Sequence, residues 1–346
     1  MPCGRPAEST TNGGVTGRTM ARRIPATSRL SLGSRPPAEA ADALNRHLWG
    51  RPTESGHSNL VSWATSLLFA LRFAFYRQPR DGTPLEDIKL CIINTKLFPA
   101  GVFVRDLPQT LTSLSRRRNE DYRRNGDYFG EFLSQGALHL DGKSCIVSLA
   151  DLVDRGLLRP HPALDRDHEH HRWANWVKQE RCRWSDPTWA FSRPDEPVVP
   201  AELFSLVSLF KPGFYLPVAA ALSSLQPRDP SNHHLLESLD LALARDADDA
   251  TLKHYYNPCN PFLTSNQHAA DKRMPEVDQA NTLIRNLAIL REEKKKVLPL
   301  STVPATGSPQ GGGQVGAEST EGSIVAWQAW LHALPKLLPA AGMPAW

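Results

Sequence analysis

The chain has 346 residues, 40% of them hydrophobic and 22% charged, which is enough apolar sequence for one or two domains with a sizeable core. A net charge of +4 excludes a strongly basic nucleic-acid binder, and five scattered cysteines exclude a disulfide framework. No charge-free apolar run approaches the roughly 18 residues of a spanning helix, so neither a nucleic-acid partner nor a membrane span is expected.

In chain order, residues 1–36 read as a disordered basic tail. Arg5, Arg18, Arg22, Arg23, Arg29 and Arg35 face a single acid, Glu8. The same composition fits a mitochondrial transit peptide. The tail reading, with free thiols, points to an intracellular, cytoplasmic protein.

Ala41, Leu44 and Leu48 recur at helical spacing and Gly50 stops the run. A second helix is predicted from Ser58, as N-cap, to Tyr76, with Arg80-Asp81-Gly82 as the closing turn. Ile88 to Thr95 reads as a core strand, and Val102 to Val104 as a short one after the turn Pro99-Ala100-Gly101. Residues 108–118 look helical. Tyr128 to Leu133 reads as a strand, Ser134-Gln135-Gly136 as a turn and Ala137 to Leu140 as another strand. Asp141-Gly142 signals a hairpin into Ser144 to Val147. Ser148 and Asp151 form a capping pair for a helix that stops at Gly156.

Residues 37–160 therefore form an α+β domain, a small mix of helices and strands. Residues 161–297 form a mainly helical extension, with helices over about 167–182, twice within 201–225 around Lys211-Pro212-Gly213, around Leu235, Leu236, Leu239 and Leu243, and over 275–297. Residues 298–323 are a Gly/Ser/Thr/Pro linker expected to be disordered. Residues 324–346 form an aromatic amphipathic tail. Trp327, Trp330, Leu331 and Leu334 lie at helical spacing there, and such a helix can dock into a protein partner's groove. A groove around Trp63 is a second contact candidate.

Polar clusters are few. In Asp167-His168-Glu169-His170-His171, His168 and His171 share a helix face, and His161 or Cys182 are candidate third metal ligands. Solvation of a first helical turn explains the cluster without a metal. Arg116-Arg117-Arg118 and Lys294-Lys295-Lys296 read as solvated faces. Phosphate-cradling glycine loops and nucleophile elbows do not occur.

Four blocks carry a resemblance: AEAADALNRHLWG (38–50), NLVSWATSLLFALRFAFY (59–76), YFGEFLSQGALHLDGKSCIVSLADLVDRGLLRP (128–160) and FYLPVAAALSSLQPRD (214–229). Together they resemble a family of domains of unknown function found in filamentous fungi. More weakly, the chain is similar to the ADP-ribosyltransferase fold of bacterial enterotoxins, in a degenerate form. That second likeness implies that Ser62, Thr65 and Ser66 line the nicotinamide pocket of NAD, and that Glu131, with Ser62, is catalytic. A carboxylate beside a developing oxocarbenium charge supplies the required electrostatics. Phe129 stands two before Glu131, where arginine-modifying members carry an acid, and the gripping arginine of a first strand has no counterpart.

Three functions follow as expectations. The first is a non-catalytic accessory or interaction module without a cofactor. The second is an NAD-dependent mono-ADP-ribosyltransferase or NAD glycohydrolase. The third is a decaying structural paralogue.

Overall fold

The computed structural model describes residues 14–16, 35–48, 60–99, 101–105, 131–165, 173–184, 201–243, 274–297 and 325–331. The fold is α+β. Among the described residues there are eight strands: β1 (Gly14–Thr16), β2 (Leu60–Ala64), β3 (Ile88–Asn94), β4 (Val104–Arg105), β5 (Glu131–Gln135), β6 (Ala137–His139), β7 (Ser144–Ser148) and β8 (Val325–Leu331). The helices are α1 (Pro37–Leu48), α2 (Leu67–Asp81), α3 (Leu149–Asp154), α4 (Trp173–Trp184), α5 (Ala201–Val207), α6 (Tyr215–Ser223), α7 (His233–Leu243) and α8 (Pro275–Val297).

Alternation along β3 creates two cores. Ile88, Leu90 and Ile92 face one side, where α2 and the helices from α3 to α8 bury them in the larger core. Cys91 and Ile93 face the other side and join Val61, Trp63, Phe132, Leu138 and Leu140 in a smaller core closed by Phe98, Val102 and Phe103. The apolar α6 lies at the centre of the helical layer, with Val218 and Ala219 fully buried.

Six strands form one antiparallel sheet in the order β4-β5-β2-β8-β3-β7, and β1 pairs with β6 separately. β2 pairs with β5 along its length, from Leu60↔Gln135 to Ala64↔Glu131. β8 pairs with β3 from Ile88↔Leu331 to Asn94↔Val325, and meets β2 only at Ala64↔Trp327.

Several expectations are corrected. The helix predicted from Ser58 is a strand followed by a helix. Leu60–Ala64 is β2, and the true N-cap is Ser66, whose side chain accepts from the N–H of Phe69. The helix also runs five residues past Tyr76, to Asp81, and only Gly82 of the expected turn lies outside it, closing α2 in the left-handed conformation at φ 62°. Ser134 and Gln135 belong to β5 rather than to a turn. The turn at Asp141–Gly142 is present, but β6 and β7 go to different sheets and form no hairpin. The aromatic tail is a strand where it is described: the alternation of Val325, Trp327, Ala329 and Leu331 fits a strand, while Trp327, Trp330 and Leu331 fit a helix. Trp63, expected beside a groove, is instead a core residue. It is buried, and its indole N–H donates to Ser134 Oγ at 2.8 Å. The helix expected at 108–118, the linker at 298–323, Leu334 and the cluster Asp167–His171 lie outside the described residues.

Candidate functional site

The segment from Ser62 to Ser66 runs from mid-strand to helix start, so each hydroxyl has a different neighbour. Ser62, half-buried on β2, bonds to His47 Nε2 on α1 at 2.9 Å. Thr65 occupies the bend after β2, and its hydroxyl points at Met274 Sδ, 3.8 Å away.

Ser66 is fully buried and does two things. Its oxygen accepts from Phe69 N–H at 3.1 Å, which satisfies one of the open donors at the start of α2. Its O–H donates to Glu276 Oε1 at 2.6 Å. Glu276 is only 4% exposed, and a carboxylate so buried requires a partner charge. Arg181, 6% exposed, provides it: Nε donates to Oε1 at 2.9 Å and to Oε2 at 3.2 Å, and Nη2 also donates to Oε1.

Three helix ends meet in this cluster. Ser66 caps α2, Glu276 lies in the first turn of α8, and Arg181 lies in the last turn of α4. The carboxylate thus sits at two positive helix ends and the guanidinium at a negative one. Both charges are compensated by the backbone as well as by each other. The arrangement can lock three helices together.

Glu131 begins β5, opposite Ala64. Strand alternation puts positions 62, 64, 131 and 133 on one face of the sheet, with Glu131 diagonal to Ser62. The likeness to an NAD-using fold asks for an arginine near this pair. The hydrogen-bond partner of Ser62 is His47.

Two cavities stand out among the described residues. One, of about 10 Å³, is bounded by His161, Ser223 and Arg228 and holds no more than a water. The other is an open groove of about 660 Å³ at the far end of α2, lined by Phe75, Thr83 and Asp165 among others. Ser62, Thr65 and Ser66 line neither. Of the candidate metal ligands, His161 is buried and Cys182 exposed. Among the described residues no group of three or more His, Cys, Asp or Glu side chains is placed to hold a metal ion.

Sequence reasoning missed His47, Arg181 and Glu276. His47 follows Leu44 by three residues on α1, a spacing that could have drawn attention to it. Glu276 looked like an ordinary first-turn acid, and Arg181 one base among several. No family model, no curated protein and no solved structure matches the chain.

Proposed function

We propose that the protein is a non-catalytic accessory or interaction module. The observation that supports this most strongly is the use made of Ser66. A hydroxyl that would line a nicotinamide pocket is fully buried, caps a helix and binds Glu276. A group committed to two structural hydrogen bonds gains nothing by exchanging them for a ligand. Thr65, against Met274, points the same way. An intracellular, cytoplasmic setting goes with this reading, since Cys91, Cys145 and Cys182 are all free thiols. Among the described residues no helix is long and apolar enough to cross a membrane.

A second reading, an NAD-dependent ADP-ribosyltransferase or NAD glycohydrolase, is favoured by the register that puts Glu131 and Ser62 on one sheet face. Calorimetric titration with NAD, with nicotinamide release followed in parallel, separates the two. The module reading expects no saturable heat at millimolar NAD and no nicotinamide. Saturable binding, with release abolished by Glu131→Gln, would establish the enzyme instead.

A further inference from the structure

β8 lies between β2 and β3 and is antiparallel to both, so β2 and β3 run parallel to each other with a gap of one strand between them. They are joined by α2, which packs across this gap on β8 as well as on β3. Each wall of the gap is held from its far side. β5 pairs with β2 along its length, and β7 pairs with β3 from Lys89 to Ile93. Both walls thus have a support that does not involve β8.

The chemistry of the gap selects a strand. Asn94 N–H donates to Lys143 C=O, so alternation turns the N–H and C=O groups of Lys89, Cys91 and Ile93 away from β7 and into the gap. Ile88, Leu90 and Ile92 wall it on the α2 side and Cys91 and Ile93 on the other, all of them buried. Buried backbone groups require partners, and an extended apolar segment supplies them without placing polar side chains in either core. β8 does so with seven residues, Val325 to Leu331 against Asn94 to Ile88.

Two features make β8 a replaceable occupant. It pairs with β3 along its whole length but with β2 only at Ala64↔Trp327, so a strand that also followed β2 would gain ladder bonds that β8 does not make. Between Val297, at the end of α8, and Val325 lie about 27 residues, an extended reach on the order of 90 Å. That connection is rich in Gly, Ser, Thr and Pro. A tether of this kind holds a segment at an effective concentration of about a millimolar, which a tightly pairing partner strand outcompetes.

We propose that the gap between β2 and β3 is a strand-acceptor site, filled by β8 in the chain alone and by an extended apolar segment of a partner protein in its complex. The partner strand would run antiparallel to β3, with apolar residues at the places of Trp327 and Ala329, opposite Ile92 and Leu90. The proposal rests on the interaction-module reading and names the site and the partner's chemistry.

The test removes only the tether. A protease site inserted at Gly312 is cut after purification, and a labelled peptide of residues 323–333 is titrated into cut and uncut protein by fluorescence anisotropy. The uncut protein should be half-saturated near about a millimolar peptide, and the cut protein should bind at least about tenfold more tightly. The same peptide with lysine at the places of Trp327 and Ala329 should not bind. In the uncut Gln328→Pro chain, whose own strand is weakened, the peptide should bind as it does to the cut protein and restore slow hydrogen exchange at Lys89, Cys91 and Ile93. Equal binding by cut and uncut protein, binding of the lysine peptide, or no uptake by either the cut protein or the proline variant overturns the proposal. Dimers of the uncut protein formed in place of peptide uptake would give the site to β8 of a second copy, and overturn it as well. None of these outcomes depends on NAD, so the proposal can fail while the module reading stands.

Discussion

Cys91 sits in the middle of β3 with no exposed surface. Burial pushes its thiol up from 9.0 to about 12, with the nearby Cys145 adding to the shift. Burial also raises Cys145, and contacts from Lys211 oppose it. The folded chain therefore keeps a proton that the unfolded chain gives up. Below pH 9 both states are protonated and stability is unaffected. Between pH 9 and 12 the Cys91 thiol ionises in the unfolded state alone, so this one group lowers stability with rising pH by about 1.4 kcal/mol per unit at most. Urea midpoints measured at pH 8 and pH 10.5 should show this fall, and Cys91→Ala should reduce it. A fall of the same size in the variant would mean that Cys91 is not its source. Sequence alone marked Cys91 only as one of five scattered thiols; burial in a central strand gives it this behaviour.

At the scale of elements, legibility followed the strength of local signals. The α8 range agrees with the sequence to the residue, because Pro275 opens it, Glu276 and Asp278 occupy the first turn and Lys294 to Lys296 the last. β3 was readable from its β-branched run. β2 was not, because Leu60–Ala64 continues into the apolar α2 and an unbroken apolar run fits either period. β8 failed for the same reason, since Trp327, Trp330 and Leu331 satisfy a helix and Val325, Trp327, Ala329 and Leu331 a strand. Its placement has a directional consequence. Asn94 N–H bonds to Lys143 C=O, so the amides of Leu90 and Ile92 point to β7 and those of Lys89, Cys91 and Ile93 to β8. Gln328→Pro, opposite Cys91, removes a ladder donor from the centre of β8. Hydrogen exchange should then accelerate at Lys89, Cys91 and Ile93 more than at Leu90 and Ile92. Equal acceleration of both sets would place β8 elsewhere.

At the scale of the molecule, one core joins sequence regions that look separate. Leu71, Ile92 and Leu152 share it with Val177, Leu206, Val218 and Leu287. The helices beyond residue 160 thus cover the sheet face built before it. Ser66, Arg181 and Glu276 fasten that arrangement at its polar point, linking residues 210 and 95 positions apart. No local pattern signals contacts at such separations, which is why Ser66 was legible as a pocket hydroxyl by resemblance and not as a joint. Removing the hydroxyl costs a helix cap and a donor to a buried carboxylate, about 2–4 kcal/mol together.

The central claim is that Ser66 and Glu276 hold the fold through each other. It is tested most directly by a double-mutant cycle on Ser66→Ala and Glu276→Gln, with unfolding free energies taken from urea denaturation. The account predicts a coupling of about 1–3 kcal/mol between the two sites. Costs that simply add, or a Ser66→Ala chain as stable as the wild type, would contradict it and return Ser66 to the list of residues free to meet a ligand.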